Sequence, residues 1–378
     1  MTPQVFLTKL AQRLTAYSER AASVVTSLPK QLLAKPLVLL CGRFLCSSLP
    51  TSNRVARDKP HILILRNKYY AKNSKQVSTE QLHLDHTLNA SGLATFEVLT
   101  YDDDLHIAPL CDLKFIRACG DIRPDAIVFS SWSDTDRQPS VHAIELVRRQ
   151  LGVRLGVIWW DTCSQQFWSD VQRYRDLFDV HVVLDNPKLH NMKCDDIFAR
   201  KILQLWAPQD EALYYPRAIQ DIPVLFVGQI SAYRSYRSDA ISHLVERGIP
   251  GKFLTNDRNQ QVTHAEYADQ MGRSAISINF SYSVNCHQLK SRVFEILFSG
   301  ALLLESENEQ TASLFEPMVD YVPFGSKEDL ETKIRYYLNN VGERDAIARH
   351  GRESALKMYR GSVFWEKFLT RLCESSIC

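Results

Sequence analysis

From His61 onward the chain alternates between short apolar runs and longer segments in which apolar residues recur at helical spacing. HILILRN (61–67), ATFEVLT (94–100), AIVFSS (126–131), RLGVIWW (154–160) and VHVVLD (180–185) are short and rich in β-branched and aromatic residues, which predicts strands. QVSTEQLHLDHTLNASG (76–92) predicts a helix that stops at Asn-Ala-Ser-Gly, because glycine enters the left-handed conformation that closes a helix. Parallel strands need long crossovers, so strands alternating with helices predict a parallel sheet. Residues 58–205 therefore predict one doubly wound α/β domain.

LQLWAPQDEALYYPRAIQDIP (203–223) is rich in Pro and turn residues and has no clean period, which places a domain boundary there. A second alternation follows: VLFVGQ (224–229), KFLT (252–255), AISINF (275–280), ALLLES (301–306) and YVPF (321–324), with helices expected at 238–248, 264–273, 288–299 and 327–339. Two closing helices are expected over 342–358 and 362–374. The chain thus predicts two tandem Rossmann-like domains, 58–205 and 206–360, with residues 361–378 closing the fold and a cleft between the halves.

Residues 1–57 form a basic helical extension. They include an amphipathic stretch (4–25) and an apolar stretch (30–49) broken by Lys35, Pro36 and Arg43. That stretch is too short and too charged to span a bilayer, and no small-residue cleavage site follows it. Residues 1–60 hold nine Lys/Arg against two Asp/Glu, or +7, so the remainder carries −5 of the formal +2. Either the extension packs on the following domain or it lies on an anionic membrane surface. The small net charge excludes a typical nucleic-acid binder. Nine cysteines without CxxC pairs fit neither a disulfide framework nor a zinc site. The expected chain is cytoplasmic, with reduced thiols and possible peripheral membrane contact.

Ligands of open parallel sheets bind at the C-terminal strand ends. After VLFVGQ, Gly228 permits close backbone approach, and Arg234 and Arg237 follow; such a loop suits a diphosphate. The alternative is a solvated basic loop. SINFSYSVNCHQLKSRVFEILFSGALLLESENE (277–309) reads as strand, polar loop, helix from Gln288 to Ser299-Gly300, and buried strand. Lys290 and Arg292 offer cations to phosphate, and Glu295 offers a carboxylate to ribose hydroxyls. Arg292 and Glu295 share a helix face, so a plain surface ion pair is the alternative.

LKSRVFEILFSGALLLESENEQTASLFEP (289–317), DYVPFGSKEDLETKIRYYLNN (320–340), ERDAIARHG (343–351), APQDEALYYP (207–216), FVGQISAYRSYR (226–237) and EYADQMGRSAISINFS (266–281) match in order. Together they resemble the C-terminal domain of family-1-type glycosyltransferases, in the branch typified by CgeB-like spore-coat maturation proteins. The resemblance is close over 205–360 and loose over 60–200. It implies a GT-B fold, a nucleotide-diphosphate sugar as donor, and neither cofactor nor obligatory metal. Glu295 matches the family's ribose-binding glutamate, and Lys290 and Arg292 match the basic residues before it. His287 stands where many relatives have a second acidic residue, which leaves Asn285, His287 and Gln288 as candidate sugar contacts. Glu305 and Glu307 read as solvated loop carboxylates, with a place facing the site as the alternative.

The first half is expected to bind the acceptor, a glycan, lipid-linked group or protein. RNKYYAKNSKQ (66–76) lacks GxGxxG, so it is no dinucleotide loop. Its Arg66, Lys68, Lys72 and Lys75 suit a phosphorylated or glycosidic acceptor, or simply line an exposed loop. Asp134 and Asp161 each lie beside tryptophan after a strand and are the candidate bases for deprotonating an acceptor hydroxyl. Asp161 ranks first, with a helix N-cap as its alternative role. HLDH (83–86) reads as a surface cluster, and Cys163 and His181 show no nucleophile context. The expected reaction is hexosyl transfer from a UDP- or GDP-sugar, retaining or inverting. A nucleotide-sugar epimerase and a non-catalytic binding module are the alternatives on the same fold.

Overall fold

The computed structural model describes residues 57–69, 77–105, 111–133, 138–230, 235–255, 262–283 and 286–373. The extension up to residue 56, Lys72, Lys75, Asp134, Arg234 and Asn285 lie outside the described residues.

As the alternation predicts, the described strands build two parallel sheets. The first contains β1 (His61–Arg66), β2 (Thr95–Thr100), β3 (Ala126–Ser130), β4 (Arg154–Trp159), β5 (Val180–Val183) and β6 (Ile202–Gln204), in the order β2-β1-β3-β4-β5-β6. The second contains β7 (Ile222–Val227), β8 (Lys252–Leu254), β9 (Ser274–Asn279), β12 (Leu302–Ser306) and β13 (Val322–Phe324), in the order β13-β12-β9-β7-β8. Between β9 and β12 a small antiparallel hairpin pairs β10 (Tyr282–Ser283) with β11 (Cys286–His287). The sequence pattern anticipated neither this hairpin nor β6. The β6 run is only three residues long, and its turn-rich flank hides it, yet it pairs with β5 at His181↔Ile202.

The helix expected from Gln288 starts later, at Ser291. Gln288 donates its N–H to the Ser281 carbonyl at 3.1 Å, closing the hairpin loop, and Lys290 is extended (φ −85°, ψ 142°) at the N-cap position. The helix ends where the sequence places its stop, at Gly300 with φ 72°.

The described chain divides into two compact units. One takes in 99–123 and 133–153, with helices Cys111–Ile122 and Val141–Leu151 packed on each other. Ser140 caps the second helix and donates its hydroxyl to Asp112 at 2.6 Å. The other unit takes in 57–98, 124–132 and 154–373 and contains both sheets apart from the last residues of β2.

The central strands of the first sheet are buried on both faces, which is why they read as unbroken apolar runs rather than alternating ones. The last helix, Gly361–Cys373, covers part of this sheet. Phe364, Trp365, Phe368, Leu369 and Leu372 form its buried stripe. Trp365 donates its indole N–H to Thr87 at 2.8 Å. Gly156, flanked in register by Val128 and Val180, has no side chain where Phe368 lies: a Cβ there would sit 2.7 Å from the Phe368 ring.

This contact yields a double-mutant test. Phe368→Ala should cost about 3–5 kcal/mol in urea unfolding, and Gly156→Ala about 1–3 kcal/mol by overpacking. Combined, they should cost less than their sum, because the new methyl enters the space the ring leaves. Strict additivity would show that the two positions do not share this packing.

Candidate active site

In the first sheet the strand order reverses between β1 and β3, and in the second between β7 and β9. The loops at the C-terminal ends of the first sheet open onto a cavity of about 410 Å³. Asn67 follows β1, Ser131 follows β3, Trp160 and Asp161 follow β4, and Leu184 follows β5; all of them line it. From the second sheet, Gln288, Leu289, Lys290 and Ser291 line it as well.

Asp161 is exposed and accepts a 2.8 Å hydrogen bond from Gln288 Nε2. It does not cap the helix Gln165–Arg173, because Ser164 does. Gln288 Oε1 in turn accepts from Lys290 Nζ. Lys290 therefore stands at the mouth of the helix Ser291–Ser299, whose N-terminus has no side-chain cap and meets the cavity at Ser291. Uncapped N–H groups together with the positive end of the helix dipole favour an anion at this point.

The loop is fixed from below by a residue that the sequence pattern does not single out. Asp185, 1% exposed at the end of the VHVVLD run, accepts from Leu289 N at 2.9 Å and from Thr162 N at 3.1 Å. Burial raises its pKa, and the bonds from Leu289 and Thr162 pull it back. The rule that selects Asp161, a carboxylate at a strand end, applies equally to Asp185.

Arg292 and Glu295 sit one layer deeper and do not line the cavity. Arg292 reaches back to the switch point of the second sheet. Its Nη1 donates to Asn279 Oδ1 at 3.3 Å, and a Cβ on Gly228 would come within 3.4 Å of it. Glu295 is buried and accepts the Tyr267 hydroxyl, and Arg292 Nε donates to the same hydroxyl at 3.3 Å. Burial, with Glu295 beside it, drives the Tyr267 pKa far up, so the phenol stays protonated and donating. Arg237 is buried. It donates to the Gln229 and Phe280 carbonyls at 3.0 and 2.9 Å and lies over the Phe226 and Phe280 rings, bracing the β7 loop against the end of β9. His287 lies half-buried in β11.

Several expectations need correction. Glu305 is no solvated loop residue. The strand continues through Ser306, so Glu305 is fully buried, accepts from Asn279 Nδ2 at 2.7 Å, and leaves Oε1 without a partner. Burial pushes its pKa up to about 8. Glu307 is exposed, as expected. HLDH is not a surface cluster: His83 lines the cavity and Asp85 is buried against Arg66, which removes Arg66 from the acceptor loop's basic set. Among the described residues, no group of three or more His, Cys, Asp or Glu could hold a metal ion. Cys163 is not a reduced thiol; it is paired with Cys286 across 123 residues. Trp132 is core, edge-on to Tyr174, so of the two tryptophans beside aspartates only Trp160 reaches the cavity.

Glu80 and His83 are cavity residues that the strand-end reading misses, because they stand on the helix after β1 and not at a strand end. Glu80 accepts from Asn67 N at 2.7 Å and from Asn67 Nδ2 at 3.4 Å. Burial lifts its pKa to about 7. His83 Nδ1 is 2.9 Å from the Pro208 carbonyl and 3.1 Å from Gln209 Nε2, and burial lowers the ring's pKa. The ring is therefore neutral.

Residues 211–370 match the model of a family described as glycosyl transferase-like. No curated protein sequence matches the chain. HepE of Anabaena, solved with UDP and glucose, is 13% identical and aligns over 83% of this chain and 100% of its own with a TM-score of 0.57. Sucrose-phosphate synthase from Thermosynechococcus elongatus is 11% identical over 84% and 100%, with a TM-score of 0.57. A glycosyltransferase from Rickettsia africae is 13% identical over 84% and 99%, with a TM-score of 0.58. The fold is that of the GT-B glycosyltransferases, two Rossmann-like halves in tandem.

The buried Glu305 makes a pH signature. Its pKa is raised from 4.5 to about 8, so between those values the unfolded chain releases a proton that the folded chain retains. Stability present below that window is lost as pH rises through it. Glu305→Gln removes this titration while keeping an acceptor for Asn279. Its melting temperature relative to the native chain should climb between about pH 5 and about pH 8. An offset that stays constant across the range would contradict the assignment.

Proposed function

We propose that this chain transfers a hexose-type sugar from a UDP-sugar to an acceptor hydroxyl without a metal ion. One observation carries the reading: the uncapped N-terminus of the Ser291–Ser299 helix opens onto the cavity with Lys290 beside it. In this reading Lys290 and the first N–H groups of the helix take the diphosphate. Gly228 lets the backbone approach it, and Arg292 supports the same charge from behind. Glu295, one layer behind the cavity, takes ribose hydroxyls in exchange for the Tyr267 hydroxyl it now accepts, and His287 and Gln288 face the sugar. The choice of uridine is supported by the UDP and UDP-glucose bound to HepE.

In the reaction the acceptor oxygen forms a bond to the anomeric carbon as the bond from that carbon to the diphosphate oxygen breaks. The diphosphate leaves with the electron pair, stabilised by the cations already aimed at it. The hydroxyl proton passes to Asp161, a carboxylate of the cavity wall linked through Gln288 to Lys290.

Incubation with UDP- and GDP-sugars, scored for released nucleotide with and without candidate acceptors, tests the reading. Acceptor-dependent release of UDP is expected. Interconversion without release would mean epimerisation, and binding without turnover a non-catalytic module. Lys290→Ala and Glu295→Ala should each weaken UDP binding roughly 10–100-fold, the value of hydrogen bonds to charged groups. Unchanged UDP affinity in both would remove the site assignment.

A further inference from the structure

The wall of the cavity around Glu80 and Trp160 has a chemistry of its own. The ends of β1, β3 and β4 meet there. Trp160 donates its indole N–H to Ser130 Oγ at 2.8 Å. Asn67 donates to both Glu80 oxygens from the end of β1, its backbone N–H at 2.7 Å and its side-chain amide at 3.4 Å, and Ser130 helps hold the Glu80 pKa down. An ionised carboxylate offers about four acceptor positions. Asn67 takes two, which leaves room for an incoming donor. The polar atom of Trp160 is engaged with Ser130, so the indole presents carbon surface to the cavity it lines. His83, whose ring centroid is 5.6 Å from that of Trp160, is held neutral.

This wall therefore combines an aromatic surface, a neutral imidazole and two carboxylates, Glu80 and Asp161. A phosphate or carboxylate group brought here would meet like charge. A molecule with an apolar ring face and donating hydroxyls would not. We propose that Glu80 is the residue that selects the acceptor, and that the acceptor is a neutral sugar ring lying against Trp160 and donating a hydroxyl to the Glu80 carboxylate. The cavity, at about 410 Å³, falls within the roughly 300–1,000 Å³ of small-molecule sites. The proposal rests on the glycosyltransferase reading for the word acceptor, but the sugar-binding wall stands on the geometry alone.

The experiment is a binding titration of the full chain, by calorimetry or saturation-transfer NMR, with and without UDP. The probes are methyl and octyl glycosides of glucose, galactose and N-acetylglucosamine, set against the phosphate ester of the same hexose. At least one neutral glycoside should bind tighter than its phosphate ester. Glu80→Gln, nearly isosteric, should weaken that glycoside roughly tenfold or more. Trp160→Phe, which keeps an apolar ring, should weaken it less than Trp160→Ala does. UDP affinity should move little in the Glu80 variant, and this also reports that the chain is folded.

The native chain should bind the glycoside more tightly as pH rises from about 6 to about 8, because the carboxylate accepts more strongly once ionised, and Glu80→Gln should abolish the rise. The other charged or titratable groups near Glu80 are Arg66, paired with Asp85, and His83, Asp161 and Lys290 around the cavity. Equal glycoside affinity in native and Glu80→Gln chains overturns the proposal. So does stronger binding of the phosphate ester, or binding of UDP with no glycoside at all. If UDP fails to bind while glycoside binding is lost in Glu80→Gln, the donor reading falls and the sugar wall stands.

Discussion

The cavity keeps its shape through one buried carboxylate. Asp185 takes the backbone N–H of Leu289 from the second sheet and the N–H of Thr162 from the loop after β4. The positions of Lys290 and Asp161, next in sequence to those two, follow from it. A buried N–H without a partner costs about 1–3 kcal/mol, so loss of this acceptor would disturb both loops together. Asn186 extends the seam by donating its N–H to Gln310 at 2.7 Å. The groups proposed to do chemistry are thus placed by backbone bonds made at their neighbours, and their own side chains are joined to each other through Gln288.

The interior of the second sheet shows how polar residues tolerate burial. Arg292, Asn279 and Glu305 lie in line, each bonded to the next, at the point where the strand order reverses. A charged Glu305 would be costly in that setting, and burial keeps it a neutral acid through most of the neutral range. Glu80 lies on the cavity wall, where Asn67 and Ser130 partly offset the same effect and leave its pKa lower, at about 7.

Much of this was legible along the chain. Strands buried on both faces announce themselves as apolar runs, and the helix stops at Gly92 and Gly300 are written as Ser-Gly. The rule of strand ends pointed to Asp161 and to the loop at 288–291, both of which line the cavity. What escaped depends on contacts far apart in sequence. His83 looks like one member of a polar helix face until the Pro208 carbonyl, 125 residues away, is brought to it. Glu305 reads as part of a soluble Glu-Ser-Glu-Asn loop because the sequence does not show where strand β12 ends. Cys163 and Cys286 are 123 residues apart, and no spacing rule joins them. Asp185 and Asp161 are equivalent by pattern, and only the loop folded over one of them makes it a clamp.

The placement of the last helix against Gly156 and Thr87 has a consequence for biosynthesis. During translation the strands of the first sheet emerge well before the Phe368 ring that fills the space over Gly156. Until that ring is made, the nascent first half exposes the apolar surface it covers. For that interval the surface is open to non-native contacts.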